Sequence, residues 1–423
     1  DDVRSSDNLF SLFLDPVDAV ETINSNFSSF FTKRLDFPFL PVDQDMKPDI
    51  CSERSIFHLL SNLKTDKACG SDGVHPIFLK LCADVVCRPI SHFINLSFQQ
   101  GIFPTVWKLA DVCPVPKSRP VRKDQLRPIS LLPIVSKICE KAVLSVYSEP
   151  LLRHYDKCQF AYRPKSSTTC ALLTFHEIVI NFLDDFNVGA VRVITFDMSR
   201  AFDRVPHHML LLALSSLNIP DCNLFVNWIN SYLSNRQQRV KLGNIRSSSS
   251  PVSSGVPQGS ILGPLLFSIY FSSYKPSDVN SHVVKYADDI TLIVPVYKAA
   301  FDDMSLTNLE IFSFENWCDI HKMCINPSKT QVLNINFGKS ILKPLTVFDN
   351  VSVIKVLGLH FNEKLTWRDH FNFVIRKASS RLYVLRTLKP LLDHDKLVNI
   401  FYALMQSILD YASALFLNAN VYI

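Results

Sequence analysis

Two apolar runs, Val283-Val284-Lys285-Tyr286-Ala287 and Ile290-Thr291-Leu292-Ile293-Val294, are rich in β-branched and aromatic residues and read as strands. The polar break between them, Asp288-Asp289, is a two-residue hairpin signal, although it lacks the glycine that a primed turn usually wants. Something other than turn chemistry selects these residues. Adjacent carboxylates repel each other, and a divalent cation would stabilise both charges. Upstream, Val191-Arg192-Val193-Ile194-Thr195-Phe196 reads as a buried strand ending on Asp197. Pro206 suits a first helical position and the run from Met209 to Leu217 is rich in helix formers, so this region reads as strand, short loop, helix. Three aspartates on two strands could then converge. Oxygen ligands suit magnesium, and two metals roughly 3.5–4 Å apart stabilise the attacking and leaving oxygens of phosphoryl transfer. The alternative, that the pair is merely surface turn aspartates, carries less weight but stays open, because a four-residue motif matches by chance.

The pattern elsewhere is mixed. Gly255 to Pro264 holds three glycines and two prolines and feeds the apolar run Leu265-Leu266-Phe267-Ser268-Ile269-Tyr270, a tight loop leading into a buried helix. Glycine lets backbone approach a ligand closely, and helix-start amides favour phosphate or template contacts. As an unaccompanied loop it would be structural. The phenylalanine-rich stretch from Phe10 to Phe31 predicts an amphipathic helix, followed by a proline-bearing connector from Phe37 to Pro48. Ser247 to Ser250 is a short polar break of hairpin type, and no internal repeat is present.

Composition narrows the class. At 423 residues the chain exceeds the usual single-domain size, and 47% hydrophobic with 20% charged residues describes a globular protein. No apolar run approaches the roughly 20 residues that span a bilayer, which argues against a membrane protein. The net charge of +5 supports nucleic-acid binding only where basic residues cluster. They do so from Lys108 to Arg127, from Arg236 to Arg246 and from Arg368 to Lys389. The last stretch, on a predicted helix, reads either as a phosphate-tracking surface or as an ordinary solvated face. None of the eleven cysteines forms a CxxC pair, so they read as reduced core residues of an intracellular protein. His207-His208 invites a metal reading, but adjacent helical residues point apart, and the pair is taken as structural.

In chain order the sequence contains Gly70-Ser71-Asp72-Gly73, then Trp107-Lys108 with Pro114-Val115-Pro116-Lys117, then Leu126-Arg127-Pro128-Ile129-Ser130-Leu131-Leu132-Pro133. Gln159-Phe160-Ala161-Tyr162-Arg163, Phe196-Asp197-Met198-Ser199-Arg200-Ala201-Phe202-Asp203 and the glycine loop follow. The aspartate pair, Asn326-Pro327-Ser328-Lys329-Thr330 and Leu357-Gly358-Leu359 complete the series. Together these segments resemble the reverse transcriptase of LINE-like (non-LTR) retrotransposons, and the resemblance covers most of the chain.

The resemblance implies an α+β right-hand polymerase, with an N-terminal extension over 1–49, fingers over 50–189, palm over 190–350 and thumb over 351–423. It implies RNA-templated DNA synthesis with two Mg2+ ions, Mn2+ as a substitute, held by Asp197, Asp288 and Asp289. Phe202, five residues after Asp197, becomes the aromatic under the incoming sugar, which predicts dNTP rather than NTP use; without its neighbours it would be a core phenylalanine. Gln258 and Gly259 become contacts of the nascent base pair. A triphosphate needs positioned cations, and the candidates are Arg127, then Lys117 and Lys329, with Arg163 for template or triphosphate. Arg127 precedes proline, which favours an extended strand. Lys329 could protonate the leaving pyrophosphate or be a flexible surface lysine.

The implied partners are an RNA template, a DNA primer or target, and dNTPs, in target-primed reverse transcription. The implied location is the nucleus and a cytoplasmic ribonucleoprotein. The chain lacks an initiating methionine and clear caps at its ends, so it reads as part of a longer polyprotein, with an endonuclease expected on a missing segment. Two positions depart from the family pattern: Phe271-Ser272-Ser273 follows Tyr270 where Asn-Asp is frequent, and His321 stands where Asn is common. The competing readings are a decayed or co-opted copy that binds RNA without catalysis, and a viral RNA-dependent RNA polymerase. Phe202 and the Tyr-Ala-Asp-Asp turn argue for DNA synthesis.

Overall fold

A computed structural model describes residues 13, 15–42, 48–117, 120–122, 125–301, 303–338 and 342–416. Its strands are β1 (Leu109–Pro116), β2 (Leu126–Leu131), β3 (Val188–Phe196), β4 (Arg236–Leu242), β5 (Ile245–Arg246), β6 (Ser250–Val252), β7 (His282–Tyr286), β8 (Asp289–Tyr297), β9 (Gln331–Ile335), β10 (Asp349–Asn350), β11 (Val353–Val356) and β12 (Leu359–Asn362). The helices used below are α1 (Pro16–Ser28), α2 (Ile134–Leu152), α3 (Thr168–Asp184), α4 (Ala201–Arg204), α5 (His207–Ser215), α6 (Gly263–Phe271), α7 (Ser305–Ile320) and α8 (Arg368–Leu388). The fold is thus mixed α+β. Contacts divide the chain into two interleaved units, one of residues 1–156, 200–273 and 320–323, the other of 157–199, 274–319 and 324–423.

The first unit is built on the sheet order β2-β1-β4-β5, with β6 also on β4. β1 runs antiparallel to β2, pairing Val115 with Arg127, and parallel to β4, pairing Asp111 with Arg239. The buried Asp111 carboxylate is held by Arg239 Nε at 2.6 Å and Arg246 Nε at 3.3 Å. The amphipathic reading of the N-terminal stretch holds over Pro16–Ser28, where Asp15 caps the first turn, while Phe10 lies outside the described residues. Val20, Ile23 and Phe27 of α1 pack on Val112, Leu126, Val240 and Leu242 of the sheet, a period-3.6 stripe meeting a period-2 face.

The second unit centres on the sheet β10-β9-β3-β8-β7. β3 is antiparallel to both neighbours, with Val193 opposite Ile293 and Leu333. One face packs Val191, Val193, Ile293 and Leu333 against Phe175 and Val179 of α3 and against the β11–β12 hairpin. The other face carries Phe196 onto Phe314 of α7, ring centroids 4.3 Å apart. Arg192, buried on that second face, donates to Asn334 Oδ1, Thr307 Oγ1 and the Lys343 carbonyl at 2.9–3.1 Å. A buried guanidinium is tolerable only with its donors satisfied in this way. The basic stretch from Arg368 forms the 21-residue α8, whose only buried side chain is His370. No helix among the described residues is long and apolar enough to cross a membrane.

Candidate active site

The aspartates lie in the second unit. β7 and β8 pair from His282 opposite Ile293 to Tyr286 opposite Asp289, so the two turn residues are Ala287 and Asp288. This corrects the expected Asp288-Asp289 break by one position: Asp289 already belongs to β8. With no glycine available, Ala287 takes the positive φ, +56°. A non-glycine residue in that region is strained by roughly 1–2 kcal/mol and persists only where its surroundings enforce it.

β3 and β8 are in register at Thr195 with Thr291 and Phe196 with Ile290, so Asp197 directly follows the last paired residue of β3 and Asp289 is the first residue of β8. Beyond β3 the chain is pinned to the segment before β9. The Asn326 N–H donates to the Asp197 carbonyl at 2.8 Å, and the Ser199 N–H donates to the Cys324 carbonyl at 2.8 Å. The turn after Asn326 brings Lys329 Nζ to 3.8 Å from Asp197 Oδ2. With the side chains 57% and 39% exposed, this ion pair contributes little to stability.

Among the described residues no three His, Cys, Asp or Glu side chains are gathered into a metal cluster. The donor set nevertheless suits magnesium, which is usually held by one or two carboxylates together with waters and substrate phosphates rather than by an all-protein cage.

The segment Gln159 to Arg163 adjoins the aspartate turn. Its backbone docks on β7 through Phe160 N–H to the Lys285 carbonyl and Lys285 N–H to the Cys158 carbonyl, both 2.9 Å. Tyr162 feels the Asp288 charge, which adds to burial in raising its phenol pKa. Arg163 is exposed in the same loop. Of these residues only Arg163 carries a sequence signal for a site role; the buried Gln159, which bonds the Ala287 backbone, carries none.

Phe202, Gln258, Gly259, Arg127 and Lys117 belong to the first unit. Phe202 of α4 stacks on Phe267 of α6 with centroids 4.2 Å apart and planes 14° from parallel, and it remains partly exposed. Its carbonyl accepts from the Val256 N–H at 2.9 Å, tying α4 to the glycine loop. Gln258 Nε2 donates to Asp203 Oδ1 at 2.8 Å. Burial pushes the Asp203 carboxyl up to about 6, against the lowering effects of Gln258, Arg200 and Lys117. Arg127 is exposed on β2, the extended conformation its following proline favours. Lys117 closes the β1–β2 connection by its N–H on the Gln125 carbonyl at 2.9 Å.

Two features of the glycine loop are met from within the protein. Its glycines approach protein backbone: a Cβ on Gly255 would lie 2.7 Å from the Asp203 backbone, and one on Gly259 2.7 Å from the Ser130 carbonyl oxygen. The Ser130 N–H also donates to the Gln258 carbonyl at 2.7 Å. The amides at the start of α6 are occupied as well. Ile261 and Leu262 N–H donate to Glu140 Oε2 of α2 at 2.7 and 3.0 Å, and the Gly263 N–H donates to Ser260 Oγ. A buried protein carboxyl therefore takes the place expected for phosphate.

His207 agrees with its structural reading: its buried Nε2–H donates to the Gly255 carbonyl at 2.8 Å, and burial pushes its pKa down to about 4. All eleven cysteines are free.

Residues 115–361 match the model of the family described as "Reverse transcriptase (RNA-dependent DNA polymerase)". The RNA-directed DNA polymerase from the mobile element jockey of Drosophila melanogaster is 28% identical over 378 residues, 84% of this chain and 40% of that protein. The probable RNA-directed DNA polymerase from transposon BS of the same organism is 26% identical, over 85% of this chain and 41% of that one. The chain thus spans about two fifths of the length of these relatives. Among solved structures, telomerase from Candida tropicalis, truncated from its C-terminal domain, aligns over 67% of this chain and 59% of that one, at 14% identity and a TM-score of 0.43.

Proposed function

Because the chain belongs to the reverse transcriptase (RNA-dependent DNA polymerase) family, we propose that it extends a DNA primer on an RNA template, within the replication of a non-LTR retroelement. In the proposed reaction the primer 3′-hydroxyl attacks the α-phosphate of a dNTP and pyrophosphate leaves. Enzymes of this family are typically metal-dependent. Asp197 and Asp288, with Asp289 as a third ligand, would hold two magnesium ions, or manganese in their place, whose charge stabilises the attacking and leaving oxygens. The observation that carries this reading is the pairing of Phe196 with Ile290, which puts Asp197, just beyond β3, and Asp289, the first residue of β8, at the same end of the two strands, with Asp288 at the tip of the adjoining turn.

The remaining assignments follow the chemistry of each position. Phe202, backed by Phe267, would present a rigid ring to the sugar and exclude a 2′-hydroxyl. Asp203 would orient Gln258, and with Gly259 that amide would meet the nascent base pair. Arg127 and Lys117 would hold the triphosphate, and Arg163 the template or triphosphate. Lys329, beside Asp197, would donate a proton to pyrophosphate. In polymerase terms, 1–49 would be an extension, 50–189 fingers, 190–350 palm and 351–423 thumb, with α8 tracking backbone phosphates. An endonuclease encoded elsewhere in the element would supply the nicked target, and the nucleus and a cytoplasmic ribonucleoprotein would be the places of action.

Primer extension on an RNA template with magnesium and dNTPs tests the reading. The wild type is expected to extend, and Asp288→Asn to lose at least about a hundredfold in rate while keeping its melting temperature. Absence of extension by folded, RNA-binding wild type would favour a non-catalytic RNA-binding role.

A further inference from the structure

We propose that Gln159 is a positioning residue for the polymerase reaction: its amide brackets Ala287 and so sets the turn that presents Asp288. The inference rests on the function proposed above and adds to it a residue that touches neither substrate nor metal.

Gln159 is 0% exposed. Its Oε1 accepts from the Ala287 N–H at 2.9 Å and from the Ala161 N–H at 3.1 Å, and its Nε2 donates to the Ala287 carbonyl at 3.2 Å. Two backbone N–H groups aimed at one atom identify that atom as the oxygen and settle the amide's orientation. Both polar groups of Ala287 are therefore held by one side chain, and Ala287 is the residue with φ +56° in a turn that has no glycine. The Gln159 backbone is itself anchored, since its neighbours Cys158 and Phe160 bond Lys285 on β7. Only a side-chain amide satisfies this arrangement. A carboxylate could accept both N–H groups but would face the Ala287 carbonyl with no donor and add charge near Asp288, and an apolar residue would leave buried backbone groups unmet.

Gln159→Met keeps the length of the side chain and removes the bonds. Active-site-titrated kcat for extension is expected to fall at least about tenfold, as a misplacement of about 1 Å can lose a hundredfold, while affinity for template-primer stays unchanged. Ala287→Gly in the Gln159→Met background is expected to recover much of that loss, because glycine occupies positive φ without a clamp. Gln159→Asn, which keeps the amide but is one methylene short, gives an intermediate loss and serves if Gln159→Met folds poorly. Amide exchange supplies a readout independent of activity. The Ala287 N–H is expected to lose protection in Gln159→Met or Gln159→Asn while the β3–β8 ladder keeps its own. Unchanged Ala287 exchange, an unchanged kcat per active site, or a melting loss without rescue by glycine would overturn the proposal. Lost protection in a protein whose wild type never extends a primer would leave the clamp standing and remove the polymerase reading.

Discussion

The turn carrying Asp288 and the loop carrying Gln258 both contain backbone at positive φ, yet they are held by opposite means. In the second unit Ala287 takes that conformation without glycine, and the bonds that hold it come from a side chain, Gln159. In the first unit Gly255 and Gly259 take it at +85° and +114°, and each lies flat against another backbone segment, at Asp203 and at Ser130. A side-chain clamp tolerates a change at the clamped residue, whereas backbone against backbone leaves no room for even one carbon. The aspartate turn is thus open to tuning by neighbouring side chains, and the glutamine loop is specified by the glycines themselves.

The contrast is broken most directly at Gly255. Gly255→Ala combines positive φ with overlap on the Asp203 backbone, an expected destabilisation of roughly 2–6 kcal/mol, read as a large fall in melting temperature or failure to fold. Ala287→Gly alone should leave the protein folded; comparable losses at both positions would remove the distinction.

A smaller effect is expected at Phe202, where the proposed sugar contact depends on the ring stacked on Phe267. Phe202→Val should lower discrimination between dNTP and NTP by about tenfold to a hundredfold, measured as the ratio of kcat/KM values. An unchanged ratio would return Phe202 to a packing role.

Asp203 sharpens the comparison through pH. Its folded pKa, about 6, lies above the ordinary value of 3.8, so its proton is retained on folding and its contribution to stability is complete below the unfolded value. That contribution is lost as pH rises through about 6. Asp203→Asn keeps an oxygen for Gln258 and removes the charge. It should melt about 3 °C higher than wild type at pH 8 and show no advantage near pH 4. A difference independent of pH would mean that the carboxyl is not desolvated.

The smallest change belongs to Lys329→Gln. The exposed pair with Asp197 is worth under about 1 kcal/mol, so melting should move by no more than about 2 °C. A larger shift would give that ion pair, beside the Gln159 bonds, a share in holding the aspartate end of the sheet.

Much of the candidate site was legible one element at a time. β-branched runs announced β3, β7 and β8, and the apolar run after the glycine loop announced α6, because strand and helix periodicity are local properties. Candidate residues fell at the ends of these elements for the same reason. The one-residue shift of the hairpin was not legible: turn rules give glycine the positive φ, and here Ala287 is held there by a residue 128 positions away. Glu140 was equally hidden, since nothing around it signals a carboxyl that caps a helix 121 residues later. The glycines signalled close approach but not its partner.

From its sequence alone the chain determined its strands and helices, the order of its motifs and the residue types available for phosphoryl transfer, because these follow from side-chain periodicity and composition. Tertiary structure alone decided the rest: the register that pairs Phe196 with Ile290 and so brings Asp197 and Asp289 to one end of their strands, the amide that brackets Ala287, the backbone that receives Gly255 and Gly259, and the carboxyl that occupies the start of α6. Each is a contact between distant segments, where buried polar groups must find partners and backbones must fit within van der Waals limits, and neither condition is expressed in local sequence.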